Sequence, residues 1–204
     1  MSNRGRFGKY GEMKRFDRLR QARIRSSLLH RTGIKSFNLR FPFKNQANKE
    51  TDIMIRLTKA SDVDFIGELS GKVFNIYGPY DQLVPQWFES DFTMTIIAIM
   101  AEKPVGFAMI GQVSKELNLP DITELMAIAV KPKKQKMGIG TMLVREMEKR
   151  AAELNIQRIF LHTAVENLPA QSLFAECGYQ KGGIKSGFYP AGQDAVLMSK
   201  SLEG

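Results

Sequence analysis

Cysteine is almost missing from this chain. Cys177 is the only one in 204 residues, so no intramolecular disulfide can form, and a reducing, cytoplasmic setting is expected. Histidine is nearly as scarce. His30 and His162 have no further metal-type ligand at useful spacing, and no metal site is expected. Long apolar runs are missing too. A run such as Ile96–Ala101 falls far short of the roughly 20 apolar residues that a membrane-spanning helix needs. Nor does an apolar signal core follow Met1; the amino end is polar and basic.

Acidic residues are missing mainly from one place. Residues 1–50 hold 14 Lys and Arg against 3 Asp and Glu, a balance of +11, while residues 51–204 hold 16 against 18, a balance of −2. The chain therefore divides near Thr51 into a basic extension, 1–50, and a nearly neutral domain, 51–204. Within the extension, residues 11–30 suit a basic amphipathic helix, with Met13, Phe16, Leu19, Ile24 and Leu28 roughly on one face. Residues 31–50, with Gly33 and Pro42, read as a linker. Residues 4–25 carry nine arginines and lysines interleaved with Phe7, Tyr10 and Phe16. Such a segment suits contact with RNA, a ribosome or another anionic surface, because cations neutralise phosphates and aromatic rings stack on unpaired bases. A solvated basic tail and an arginine-rich mitochondrial-type leader share the same composition.

The domain itself has 43% hydrophobic residues in the whole-chain count, enough for a full core. Ile53–Leu57 alternates as a strand, and residues 58–62 offer caps for a helix through Phe74. A turn at Ile76–Tyr80 leads to a second helix over 81–90. Strands are predicted at Thr93–Ala101 and Val105–Val113, joined by a hairpin at Glu102-Lys103-Pro104. Ile122–Val130 reads as a buried strand. A helix from Gly138 to about Leu154, a strand at Arg158–Ala164 and a helix from Leu168 to Glu176, stopped by Gly178, follow. Two closing strands, Tyr179–Ile184 and Ala195–Ser199, flank a turn at Tyr189–Gly192. The order β-α-α-β-β-β-α-β-α-β-β implies a mixed α/β fold with helices on both faces of one sheet.

The chemistry concentrates at the strand–glycine–helix passage. The first turn of a helix carries unpaired amides and a partial positive charge that stabilise a diphosphate. Gly138 and Gly140 remove side chains where a phosphate would approach, and Lys133, Lys134 and Lys136 add charge. The triphosphatase loop Gly-x-x-x-x-Gly-Lys-Ser/Thr is absent, and Leu143 breaks the dinucleotide pattern Gly-x-Gly-x-x-Gly.

In this segment the sequence resembles the GNAT N-acetyltransferase superfamily. Its signature is Gln or Arg, two residues, Gly, one residue, then Gly or Ala; here it is Gln135-Lys136-Met137-Gly138-Ile139-Gly140. The preceding phrase Ile128-Ala129-Val130-Lys131-Pro132 also fits. So do Asn167, Ala170, Leu173, Phe174, Gly178 and Tyr179 at the downstream spacings. The resemblance covers about residues 53–200 and implies a mostly antiparallel sheet of six to seven strands, splayed between the domain's fourth and fifth. It also implies acetyl-coenzyme A as donor and a primary amine as acceptor: a protein amino terminus, a lysine or a small amine. The pantetheine arm would pair with Ile128, Ala129 and Val130. The diphosphate would sit on amides from Gln135 through Lys136, Met137, Gly138, Ile139 and Gly140 to Thr141, and Asn167 and Ala170 would line the far side.

Attack on a thioester needs a neutral amine, so a base helps. Glu124, six residues before Val130, is the leading candidate by this resemblance, with Glu166 second. Family members often carry a tyrosine where Phe174 stands, and phenylalanine has no proton to give. Tyr189, on its glycine–proline turn, is the substitute acid considered; Tyr179 and Cys177 read as packed residues, and His162 as a hydrogen-bonded core histidine. The segment Phe74–Tyr80, with Trp87 and Phe88, suits either the floor of the acceptor pocket, through Tyr77 and Tyr80, or core contacts that dock the helices.

Overall fold

A computed structural model of the chain describes residues 39–41, 52–90, 92–112 and 122–202. The basic helix expected over 11–30, and all of residues 1–50 except 39–41, lie outside them. The described strands form one sheet: β1 Leu39–Phe41, β2 Ile53–Leu57, β3 Thr93–Met100, β4 Lys103–Gln112, β5 Ile122–Val130, β6 Arg158–Ala164, β7 Gln180–Lys185 and β8 Ala195–Ser201. Their spatial order is β1-β2-β3-β4-β5-β6-β8-β7, and every neighbouring pair is antiparallel except β5 with β6. The helices are α1 Val63–Phe74, α2 Tyr80–Glu89, α3 Ile139–Glu153 and α4 Leu168–Glu176.

All seven expected strands are present, and β1 is an eighth. It pairs with β2 through Leu39↔Ile55 and Phe41↔Ile53, inside the segment read as linker. β1 therefore lies upstream of the boundary read near Thr51. Three residues followed by Pro42 are too few to show an alternation. The first hairpin also shifts. Its turn is Ala101-Glu102, with φ of 48° and 59°, rather than Glu102–Pro104, so Pro104 lies within β4 opposite Ile99. A two-residue turn with both φ positive normally announces itself by Asn-Gly, and Ala-Glu gives no such signal.

Side chains alternate across the sheet. One face packs on α3 and α4: Ile53, Ile96, Ala108, Ile110, Leu125, Val130, Ile159 and Leu161 meet Leu143, Met147 and Phe174. The other packs on α1 and α2: Phe107, Met109, Ala127 and Ala129 meet Ile66, Leu69 and Val84. The sheet thus sits between two helical layers, as the alternating elements require. α1 and α2 approach closely because Gly67 and Gly71 lack side chains; a Cβ at either would lie 3.1 Å from Pro85 or Asp81.

Candidate active site

The parallel pair is short. β5 and β6 are in register only from Ile122↔Arg158 to Leu125↔Leu161, yet β5 runs on to Val130 and β6 to Ala164. Beyond Leu125 the two strands part. The edge of β5 that carries Ile128, Ala129 and Val130 then has β4 on one side and no strand on the other.

A β-bulge marks the same point. Met109 pairs with Ala127 and Ile110 with Leu125, so Met126 is an extra residue in β5. Its effect is on facing. Leu125 belongs to the α3–α4 core, whereas Ala127 and Ala129 belong to the α1–α2 core. Glu124, alternate to Leu125, therefore faces α1 and α2, while Ile128 and Val130 face α3. Without the bulge, alternation would put Glu124 and Ile128 on one face.

At the open end of the split, α3 begins. Gly138 is its N-cap with φ 77°, a left-handed conformation that suits glycine. Lys136, with φ 60°, completes the turn, and Gln135 Nε2 donates to Val130 O at 3.1 Å, tying the loop to the end of β5. The amides of Ile139, Gly140 and Thr141 occupy the first turn, where none has an intrahelical partner. Gly140 has a second reason to be glycine: a Cβ there would stand 3.2 Å from Leu173 of α4. Across the split, Asn167 caps α4, its Oδ1 accepting from Ala170 N at 3.2 Å. The residues predicted for the cofactor thus come from three elements around one opening.

Residues predicted for catalysis and for the acceptor also converge. Glu124 Oε1 lies 2.8 Å from His162 Nδ1, with side-chain exposures of 19% and 13%. A carboxylate only accepts, so Nδ1 carries the proton of this bond and Nε2 is left for another partner. Phe188 stacks on the imidazole at 4.3 Å and 20°. The Tyr189 hydroxyl donates to His162 O at 3.3 Å. Tyr189 in turn stacks with Tyr77 at 4.7 Å and meets Tyr80 edge-on at 6.3 Å. Burial pushes the Tyr189 phenol up, with Tyr80, Tyr77, Glu124 and Glu166 adding to the rise, so it stays protonated at neutral pH. Tyr77 is also raised, by burial and then by Glu166, against a hydrogen bond with Asn167 that lowers it.

Two loops hold this cluster together. Ala191 N donates to Tyr77 O at 3.1 Å, and Gln193 Nε2 to Ile76 O at 2.7 Å. Gly78, with φ 143°, fits beneath Pro190, where a Cβ would meet the ring at 2.8 Å. The turn between α1 and α2 is thereby stitched to the loop between β7 and β8.

Other candidates are placed apart. Phe174 is 3% exposed and edge-on to Tyr179 at 5.7 Å, within the α3–α4 core. Tyr179 and Cys177 are buried there too, and burial raises both. Glu166 is exposed beside Tyr77 and Tyr189. His162, read as a hydrogen-bonded core residue, is hydrogen-bonded, but to Glu124. Phe188 carried no sequence signal beyond its turn. Among the described residues there is no cluster of three metal-type ligands, and no helix is long and apolar enough to cross a membrane.

A family model for the Acetyltransferase (GNAT) family matches residues 63–179, which take in β5, the α3 loop and α4. The chain belongs to the GNAT acetyltransferase family. It is an acyltransferase enzyme by that membership. An N-alpha-acetyltransferase of Saccharolobus solfataricus is 25% identical over 164 residues, covering 77% of this chain and 98% of that protein. Among solved structures, the Escherichia coli ribosomal-protein-S18-alanine N-acetyltransferase aligns with TM-score 0.64 and 18% identity, over 74% of this chain and 95% of that one. The Salmonella typhimurium protein yncA, solved with acetyl-CoA, aligns with TM-score 0.65 and 15% identity, over 74% and 94%. At those identities the solved structures speak for the fold.

Proposed function

We propose that this GNAT enzyme moves the acetyl group of acetyl-coenzyme A directly to a primary amine, with the Glu124–His162 pair taking the amine proton. The observation that carries it is the 2.8 Å contact between them, at the point where β5 and β6 part. Of the three acceptor types, the protein amino terminus has the most support, from the relative named as an N-alpha-acetyltransferase.

The groups around the split fit acetyl-coenzyme A. Ile128, Ala129 and Val130 offer the backbone of an unpaired strand edge to the pantetheine amides. The amides from Gln135 to Thr141, at the positive end of α3 and with lysines beside them, suit the diphosphate. Asn167 and Ala170 line the far side of the arm. When bound, acetyl-coenzyme A supplies a thioester-activated acetyl group.

The chain's own residues do the rest. An amine arrives at neutral pH largely as ammonium and must lose a proton before it can attack. Glu124 holds the Nδ1 proton of His162, which orients the ring and supports the positive charge it acquires when Nε2 takes the amine proton. Phe188 fixes the ring plane from one face. Tyr189, bonded to His162 O and kept protonated by burial, is a proton donor beside the pair. Tyr77 and Tyr80 line the acceptor side.

Incubation with acetyl-coenzyme A and a panel of amines tests the reading. Free thiol should appear together with an acceptor heavier by one acetyl group. Coenzyme A binding without thiol release on any amine would leave a binding domain only.

The extension carries a separate proposal. Its balance of +11 in 50 residues, beside a nearly neutral domain, favours contact with RNA or a ribosome. Deleting residues 1–35, which spares β1, should then abolish a salt-sensitive RNA shift in gel retardation; equal binding by both forms would refute it.

A further inference from the structure

Met126, the extra residue of the β5 bulge, is half-buried, yet it packs into neither hydrophobic core of the described residues. Its neighbours say where it lies. In β4, Met109 faces α1 and α2 while Ile110 faces α3 and α4, so Gly111 is on the α1–α2 side again. A Cβ built on Gly111 would run into Met126 Sδ, with Met126 Cγ at 3.3 Å and Cε at 3.7 Å. The methionine therefore leaves the bulge toward α1 and α2. It lies across Gly111, the β4 residue directly opposite Glu124. Any side chain at 111 would lift it from that seat.

Its place along the strand matters as much. Met126 is the first residue of β5 beyond the last rung with β6, Leu125↔Leu161. On one side of it are Ile128, Ala129 and Val130, the free edge that suits the pantetheine arm. On the other is Glu124, bonded to His162. A thioester brought along that edge to the pair arrives at Met126.

We propose that Met126, seated on Gly111, is the end wall of the acyl site and restricts the donor to a two-carbon acyl group. The inference rests on the acetyl-transfer reading above and adds to it the length of the acyl chain. In the transfer the amine nitrogen bonds to the acyl carbon, the carbon–sulfur bond breaks, coenzyme A leaves as thiolate, and the amine proton goes to His162. No step involves the carbons beyond the carbonyl, so space alone decides how long the chain can be. An apolar wall suits a methyl group, which needs no polar partner. Methionine by itself is an adaptable filler. The bulge and the Gly111 seat give this one a defined resting place.

Calorimetry on the full chain, without an amine, tests the wall with coenzyme A and its acetyl, propionyl and butyryl thioesters. Thiol release with an amine acceptor follows the same series. Wild type should bind butyryl-coenzyme A at least about tenfold more weakly than acetyl-coenzyme A, with propionyl between, and kcat/KM should fall in the same order. Met126→Ala should bring the butyryl and acetyl affinities within about twofold of each other. Met126→Val, a smaller truncation, should admit propionyl but not butyryl, and Met126→Leu, close in volume, should keep the whole series. Affinities independent of chain length in wild type would overturn the proposal. So would a series that survives in both Met126→Ala and Met126→Val, or variants that weaken coenzyme A itself as much as its thioesters. A graded series in binding with no thiol release from any amine would overturn the transfer reading and spare the wall; no binding of any form would overturn both.

Discussion

The carboxylate of Glu124 and the imidazole of His162 stand 2.8 Å apart across the last paired rungs of two parallel strands, 38 residues distant in sequence. Their meeting depends on register: Glu124 is opposite Phe160, and His162 is the next residue of β6 on that face. The two are held as one hydrogen-bonded pair.

Kinetics should separate their roles. Glu124→Gln keeps a hydrogen bond but removes the charge that supports a protonated His162, so kcat should fall about 10²-fold. His162→Ala should fall at least as far, and the double variant no further than His162→Ala alone, since groups acting as a unit are not additive. The KM for acetyl-coenzyme A should stay within a factor of about two, because neither side chain belongs to the cofactor edge. A Glu124→Gln rate equal to wild type would remove this residue from the mechanism.

The two glycines of the α3 loop make a second pair of variants. Gly138→Ala forces a side chain onto φ 77° and should cost about 1–2 kcal/mol of stability along with coenzyme A affinity. Gly140→Ala places its Cβ 3.2 Å from the end of the Leu173 side chain, which can move aside. Its stability loss should be smaller, so that a fall in affinity reports the diphosphate approach. Thermal unfolding and calorimetry with coenzyme A check both. Unchanged affinity in Gly140→Ala would mean that this glycine serves helix packing alone.

Much of this site is legible in sequence because it is local. The phrase Ile128–Pro132 and the run Gln135–Gly140 are contiguous, and the strand end, the left-handed cap and the helix start follow from their own residues. The acceptor side is different. His162 alternates between Leu161 and Thr163 like any half-buried strand residue, and only the pairing of β5 with β6 shows that its partner is Glu124. Phe188 joins them because the β7–β8 loop folds back over the sheet. The bulge at Met126, which turns Glu124 toward α1 and α2, leaves no mark in an apolar run such as Leu125–Val130, where every residue suits either face. The turn Ala101-Glu102 and the three-residue β1 were likewise hidden, one by its uncharacteristic residues and the other by its brevity.

Acid should weaken the tie between β2 and α1. Arg56 holds Asp62 through both guanidinium nitrogens, Nη1 to Oδ2 at 2.7 Å and Nη2 to Oδ1 at 3.0 Å, and Lys59 N adds a third bond at 2.7 Å. Burial pushes the carboxyl up, but Arg56 and Lys59 together outweigh it and hold it below the usual carboxylate range. With the folded value depressed, the stabilisation is full above the unfolded value of about 4 and is lost as pH falls through the folded one. Asp62→Asn should therefore cost about 1–3 kcal/mol at pH 7 and progressively less below pH 4, by urea denaturation at each pH. A difference independent of pH would show that the ionised form contributes nothing.

A clasp far from the split offers a test of packing against charge. Glu148, on α3, accepts from Lys200 of β8 at 2.8 Å and from Arg145 at 3.4 Å, both through Oε2, while Oε1 has no hydrogen-bond partner. The carboxylate is 9% exposed and Lys200 20%, whereas Arg145 is 53% exposed and lies farther off. Removing the lysine leaves a largely buried charge with Arg145 at 3.4 Å and the Tyr179 phenol beside it. Lys200→Met should consequently destabilise by about 3 kcal/mol, the cost typical of breaking a buried pair. Replacing both ends, Glu148→Met with Lys200→Met, removes the stranded charge along with the bond and should recover most of that loss. Chemical denaturation of the single and double variants decides the matter: a double variant as unstable as Lys200→Met alone would mean that the clasp stabilises through the ion pair itself, and that the desolvation of Glu148 is not what makes its loss costly.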